Sequence, residues 1–180
     1  MLPIEILINE HRLIERFVKF IGKEMEKIAE TQKVEPNFMV AAVDFFRTYA
    51  DRYHHGKEEG ILFKGLSQKK LSETDKKMML ELTMEHAYAR RTVRNLENSK
   101  EAYLAGKADA LKDILQLLNA LVELYPMHIE KEDKHFFLPS MTYFTQAEQE
   151  EMLNKFIAFD RDFTNKKYQQ IVETLDTQPR

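Results

Sequence analysis

Two segments of the chain share one pattern, in which a glutamate follows a histidine at a distance of four residues. The first segment contains His54 and Glu58, and the second contains His128 and Glu132. A lysine precedes each glutamate, and a phenylalanine follows each glutamate five residues later. Four residues make about one helical turn, so both side chains of each pair leave the same face of a helix. A single pair of this kind is common by chance, but the repeat with its flanks indicates two halves of a metal site.

Apolar residues recur at steps of three and four along most of the chain, which predicts long amphipathic helices. Five glycines and five prolines are few for 180 residues, and this favours long helices over a sheet with many turns. The predicted helices span about residues 4–30, 36–63, 72–104, 108–137 and 146–174. We therefore expect an all-α fold, an up-down-up-down four-helix bundle over about residues 4–139 with an additional C-terminal helix.

Four histidines occupy positions where the helical pattern places core residues. They are His11, His54, His86 and His128, one on each of the first four helices. Within the doubled histidine of the second helix, helix phase favours His54 as the inward residue. His55 falls with Asp51 and Glu59, so the same phase predicts that it lies on a more polar flank.

In an up-down bundle, these histidines and the two glutamates would meet at a similar depth near one end. Burying so many imidazoles and carboxylates is costly unless they are paired or bind a cation. A donor set of imidazole and carboxylate without sulfur suits iron, manganese or zinc. The alternative is a metal-free core of hydrogen-bonded His–Glu pairs. The predicted metal ligands are His11, His54, Glu58, His86, His128 and Glu132.

Composition narrows the class of protein. The length suits a single domain over residues 1–180, and a net charge near −3 argues against a nucleic-acid-binding surface. The chain has no cysteine, which excludes disulfides, thiolate zinc sites and iron–sulfur clusters. Charged and polar residues interrupt the N-terminal segment before an apolar run develops, so we expect no signal peptide, no membrane association and a cytoplasmic location.

The predicted C-terminal helix differs from the other four because it contains no histidine. Thr145 with Glu148 has the spacing of a capping box at its start. Its apolar side chains line one side of the helix, and we expect this helix to pack outside the bundle rather than join the site. Those side chains are Met152, Phe156, Phe159 and Phe163.

The chain resembles the hemerythrin-like family, also called HHE cation-binding domains, over about residues 4–139. The resemblance is carried by His11 after Asn9-Glu10, by the two His-x3-Glu segments in this order, and by Glu85-His86. It implies an up-down four-helix bundle that holds a non-haem di-iron centre. By this resemblance, His11 and His54 would bind one iron, His86 and His128 would bind the other, and Glu58 and Glu132 would bridge them.

One position departs from the oxygen carriers of that family. They have a further histidine one turn after the third-helix histidine, and this chain has Arg90 there. A guanidinium stays protonated and cannot replace imidazole as a ligand. The resemblance therefore leaves two histidines for each ion. One hypothesis is that Arg90 reaches the mouth of the site and pairs with Glu58, Glu132 or a bound anion.

These observations predict a protein that holds two metal ions, most simply iron, with manganese or zinc as alternatives. The expected partner is a small ligand such as dioxygen or nitric oxide, which the protein binds, senses or reacts with. A di-iron enzyme that handles peroxide or nitric oxide is an alternative. A metal-regulated interaction module that uses the C-terminal helix is another.

Overall fold

The computed structural model describes residues 2–161 and, beyond them, residues 168, 170, 171 and 173. Over residues 2–161 the chain forms five consecutive helices and no strand. The predicted end of the fifth helix near 174 and the predicted contact of Phe163 lie outside the described residues. The helices are α1 (Pro3–Thr31), α2 (Pro36–Asp44, Phe45–His55, Glu58–Phe63 and Lys64–Leu66 in sequence), α3 (Glu73–Leu104), α4 (Ala110–Lys131, Glu132–Phe136 and Phe137–Met141) and α5 (Gln146–Arg161).

Local sequence signals explain where these helices begin and end. Pro3 and Pro36 stand in the first turns of α1 and α2, where a missing N–H costs little. Ser72 caps α3 by accepting a hydrogen bond from the Asp75 amide at 3.1 Å. Gly106 follows α3 with φ +87°, a backbone conformation that favours glycine. The predicted boundaries that fall within the described residues are confirmed within a few residues.

The predicted capping box at the start of α5 is also present. The Thr145 amide donates a hydrogen bond to Glu148 Oε2 at 2.8 Å, and the Glu148 amide donates to Thr145 Oγ1 at 3.4 Å. This reciprocal pair satisfies two donors that a helix start leaves without an intrahelical partner.

The first four helices form the expected four-helix bundle, in which α4 packs along both α1 and α3. Two apolar clusters fill it. One includes Phe17, Phe46 and Leu118, and the other includes Leu7, Leu82 and Phe136. On each helix the inward histidines and glutamates fall between the residues of the two clusters, so a polar layer crosses an otherwise apolar core. No helix among the described residues has the length and apolar character needed to cross a bilayer.

Candidate metal centre

The six residues predicted as ligands come together in this polar layer, and none exposes more than 3% of its surface. Helix α1 brings His11, α2 brings His54 and Glu58, α3 brings His86, and α4 brings His128 and Glu132. Apolar neighbours one or two turns away on the same helix face are buried in the two clusters, and their packing orients each helix so that these residues point inward.

Four of these residues form a first cluster, whose ligand atoms all lie within 4.8 Å of one another: His11, His54, Glu58 and Glu132. His54 Nε2 lies 3.2 Å from Glu58 Oε1. His11 Nε2 lies 3.2 Å from Glu132 Oε2 and 4.0 Å from Glu58 Oε1. Two imidazoles and two carboxylates of three different helices therefore point their donor atoms at one place.

A second cluster consists of His55, His86 and His128. The Nε2 atoms of His86 and His128 are 3.1 Å apart. The His55 ring stacks on the His86 ring with centroids 3.9 Å apart. The prediction that His55 lies on a polar flank is therefore wrong, because the residue is 1% exposed and belongs to this cluster.

The backbone of α2 explains why both neighbouring histidines point inward. Residues Phe45–His55 and Glu58–Phe63 are π-helical, and the Gly56 amide donates to the Asp51 carbonyl five residues earlier. A π-helical turn contains more than the 3.6 residues of an α-helix, so a phase argument based on α-helical geometry fails there. The widened turn directs His54 to the first cluster and His55 to the second. The Glu132–Phe136 segment of α4 is π-helical too.

The two glutamates connect the clusters. Glu58 Oε1 faces His54, while its Oε2 lies 3.4 Å from His86 Nε2. Glu132 Oε2 lies 3.2 Å from both His11 and His128, and its Oε1 lies 3.7 Å from His86. Each carboxylate therefore offers oxygen atoms to both clusters, which is the arrangement of a bridging ligand in a dinuclear centre.

Each of the five histidines also has a carboxylate on its outer side. The Nδ1–H groups donate hydrogen bonds outward at 2.7–3.4 Å, and this directs every Nε2 toward the centre. Such outer carboxylates fix the ring orientation and raise the basicity of a metal-binding imidazole. The pairs are His11–Asp133, His54–Glu10, His55–Asp51, His86–Glu59 and His128–Glu85.

Cations hold the outer carboxylates in turn. Arg90 donates to both Asp51 and Glu59 at 2.7 Å. The hypothesis that Arg90 pairs with Glu58 or Glu132 is therefore wrong, because the guanidinium lies on the outer side of the histidines. The remaining cation–carboxylate pairs are Arg12–Asp133, Lys57–Glu10 and Lys131–Glu85.

Charge shapes the titration of the inner groups. Burial lowers the pKa of His54, but Glu58 and Glu10 outweigh burial and raise that pKa to about 10. Burial likewise lowers the pKa of His128, and Glu132 and Glu85 raise it to about 10. Protons on these rings therefore offset the glutamate charges when no metal is bound, and metal binding must displace them.

The pKa values of His55 and Glu132 are lowered, whereas those of His54 and His128 are raised. Burial and the neighbouring His86, His54 and His128 rings hold the pKa of His55 well below its usual range. His55 is consequently neutral, with a lone pair on Nε2 that a metal can use. Burial alone would raise the pKa of Glu132, but the surrounding histidines lower it well below its usual range, so it is ionised.

The centre leaves seven buried polar atoms without a hydrogen-bond partner. They are Nε2 of His11, His54 and His55 and both carboxylate oxygens of Glu58 and Glu132. An unsatisfied buried polar group costs about 1–3 kcal/mol, so seven together would cost as much as the 5–15 kcal/mol stability of a typical domain, or more. All seven are atoms of a kind that can bind a metal, and their convergence fits a pair of divalent cations.

Helix α5 contributes no imidazole, as expected, but it does reach the site. Lys57 is fully buried, and its ammonium group bonds both to Glu10 and to Asp160 of α5, the latter at 2.8 Å. Glu10 in turn accepts the Nδ1–H of His54. The chain of contacts from Asp160 through Lys57 and Glu10 links α5 to an inner histidine.

The sequence interpretation therefore missed His55 and the five outer carboxylates. Four of the five carry a visible signal, since Glu10, Glu59, Glu85 and Asp133 each stand directly beside a predicted ligand. No comparable signal marks the π-helical turn that brings His55 inward.

Fold and site together define a helical-bundle protein with a buried histidine–carboxylate centre for metal cations. A family model, the hemerythrin HHE cation binding domain, matches residues 2–138, and the chain belongs to this family. No curated protein and no solved structure is significantly similar to the chain.

Proposed function

We propose that the protein holds two iron ions in this centre and that it binds or reacts with dioxygen or a related small ligand such as nitric oxide. The observation that carries the proposal is the position of Glu58 and Glu132, whose oxygens face both clusters. His11 and His54 would hold one ion, and His55, His86 and His128 the other. Iron bound in this way would supply a redox-active Lewis-acidic centre.

The two clusters differ in their number of donors. The first offers two imidazoles and the second offers three, while both share the glutamates. Fewer protein donors leave more room for an external ligand, so we place the small ligand on the side of His11 and His54. This assignment replaces the balanced site of two histidines for each ion that the resemblance implies.

Apolar rings surround the inner histidines. Phe137 stacks on His11 with centroids 5.5 Å apart, and Phe63 stacks on His86 with centroids 6.0 Å apart. These rings exclude bulk water, strengthen the electrostatic interactions inside and favour a small uncharged ligand such as dioxygen or nitric oxide.

Metal analysis of the full chain, purified without added metal, tests the proposal. We expect two iron ions per chain and an absorption spectrum of a histidine–carboxylate iron centre. The His128→Ala variant should lose metal, whereas His135→Ala is the matched control because His135 is exposed on the same helix. One ion per chain after full reconstitution would contradict a dinuclear centre, and two zinc ions would contradict the choice of iron.

The enzyme alternative is distinguished by turnover. Catalytic consumption of peroxide or nitric oxide that disappears in His128→Ala would favour it. The interaction-module alternative drew on an exposed aromatic stripe of the C-terminal helix. Met152 and Phe156 of α5 are buried against the bundle, so the described part of this helix offers little support for that alternative.

A further inference from the structure

A small cavity opens between α2 and α3, outside the polar layer of the candidate metal centre. Its volume is about 260 Å³, below the range of about 300–1,000 Å³ for pockets that hold drug-sized ligands. Its walls consist of Phe46, Ala89, Val93 and Tyr125 together with six charged residues. The charged residues are Arg47, Arg52, Arg90, Arg94, Asp51 and Glu97.

The charges around this cavity are strongly unequal. Four guanidinium groups face two carboxylates. Arg47 is paired with Glu97, and Arg90 with Asp51. Arg52 and Arg94 make no ion pair or hydrogen bond with any residue that the structure describes. Two cations at one cavity therefore have donors available for an anion, and a guanidinium matches the geometry of carboxylate and phosphate oxygens.

A tyrosine hydroxyl at the cavity wall is consistent with the same kind of ligand. Tyr125 is 2% exposed and contributes to the cavity wall. Its ring stacks on Phe46 at 5.3 Å and lies parallel to the His55 ring at 6.4 Å, which fixes its orientation. The hydroxyl makes no hydrogen bond within the described part of the chain, so it has a donor available for a ligand in the cavity.

We propose that this cavity is a binding site for a small oxyanion, a phosphate or carboxylate group, held by Arg52, Arg94 and the Tyr125 hydroxyl. The arginines supply charge and paired N–H donors from the rim. The tyrosine supplies a single donor from the wall, and the stacking of its ring on Phe46 fixes its orientation.

The site is connected to the histidines. Arg90 forms part of the cavity wall, and it holds both Asp51, the outer partner of His55, and Glu59, the outer partner of His86. An anion that binds Arg90 would compete with Asp51 and Glu59 for its N–H donors, and this would change the electrostatic environment of the two rings. Occupancy of the cavity would therefore alter the second cluster, a consequence that rests on the metal centre proposed above.

Isothermal titration calorimetry with inorganic phosphate, and separately with succinate, tests the site on the full chain. We expect one saturable oxyanion site whose affinity falls as salt is added. Arg52→Gln and Arg94→Gln should each weaken it about tenfold or more, and Tyr125→Phe should weaken it severalfold while both ring stacks remain. Arg91→Gln is the matched control, since Arg91 is exposed on α3 but lies outside the cavity wall.

Binding of only one of the two probes would support the site and identify its ligand class. Equal weakening by Arg91→Gln, or no saturable binding of either probe, would overturn the proposal. The titration is repeated after metal removal. Phosphate that binds directly to a metal would no longer bind to the metal-free protein, and its affinity would not change in the arginine variants. Binding that persists without metal supports the oxyanion site even if the iron proposal fails. An unchanged absorption spectrum of metal-loaded protein at saturating anion would refute the connection to the second cluster.

Discussion

Glu10 stands directly before His11 in the sequence, yet its carboxylate accepts the Nδ1–H of His54 on another helix at 2.9 Å. The same crossed arrangement recurs at Glu85, which precedes His86 and binds His128 at 2.8 Å. Each of these acids is the sequence neighbour of one inner histidine and orients a different one through its hydrogen bond. Adjacent helices therefore orient one another's inner histidines, and a change at one outer carboxylate should affect a proposed metal ligand on a different helix.

The first prediction concerns that outer carboxylate. Glu10→Gln keeps the size of the side chain and a hydrogen-bond acceptor for His54 but removes the negative charge. We expect metal affinity to fall about 10- to 100-fold, the usual effect of losing such a partner. Competition with a chelator measures the change. Glu130→Gln is the control, because Glu130 is exposed and pairs with Lys134; an equal loss in both variants would argue against a specific role of Glu10.

The helices and the six predicted residues could be read from the sequence because both depend on local periodicity. His11, His86 and His128 lie on α-helical faces whose apolar neighbours specify the phase, and the structure places all three in the polar layer. His55 could not be assigned in this way. Its position depends on a π-helical turn, and propensity and periodicity do not indicate where such a turn forms.

Hydrogen-bond partners on different helices could not be predicted from the sequence either. The acids beside the ligands are visible, but which histidine each acid contacts depends on how the helices pack. Arg90 illustrates this, since its contacts with Asp51 and Glu59 of α2 follow from the alignment of α2 with α3. A helical periodicity gives the face of a residue and leaves its neighbour on the next helix undetermined.

The second prediction tests the corrected role of His55. His55→Ala should reduce the metal content from two ions to about one per chain, because the second cluster loses one of its three imidazoles. His135→Ala should retain full content, since His135 is exposed. Elemental analysis with circular dichroism separates metal loss from unfolding. Full metal occupancy of a folded His55→Ala protein would show that His55 is not a metal ligand.

The third prediction is a pH dependence at the start of α5. Lys69, together with the Thr145 amide and hydroxyl, lowers the pKa of Glu148 to about 2. The unfolded chain has a glutamate pKa of about 4.3, so the stabilisation by ionised Glu148 is present above that pH and is lost as the pH falls toward 2.

Glu148→Gln should therefore have a lower melting temperature than the unchanged protein at pH 7, and the difference should shrink between about pH 4.3 and 2. Thermal unfolding followed by circular dichroism measures both proteins over this range. Glu150→Gln is the control on the same helix, because Glu150 is exposed and, among the described residues, accepts a hydrogen bond only from Gln146. A difference that stays constant with pH would show that the charge of Glu148 is not its source.

The fourth prediction concerns the contact between α5 and the centre. Lys57→Met leaves the buried Glu10 carboxylate without its ammonium partner, and breaking a buried ion pair on one side costs roughly 3–5 kcal/mol. Asp160→Asn removes only the carboxylate that Lys57 contacts on α5, which is 33% exposed, and should lower the free energy of unfolding by a smaller amount. Urea unfolding at matched metal content measures both. Equal stability of Lys57→Met and the unchanged protein would mean that the bundle relaxes around Glu10 without this contact.

The last prediction concerns removal of the metal. Seven ligand atoms of the centre are buried without hydrogen-bond partners, and bound cations would satisfy all of them. Treatment with a chelator should therefore lower the melting temperature, and metal in excess should raise it, because a ligand that binds only the folded state stabilises that state. The double variant Glu58→Gln with Glu132→Gln removes both buried negative charges and one oxygen of each carboxylate that is proposed to bridge the ions. Its melting temperature should respond little to chelator or metal. A chelator-insensitive unchanged protein would instead indicate a core in which protonated histidines satisfy the glutamates without any metal.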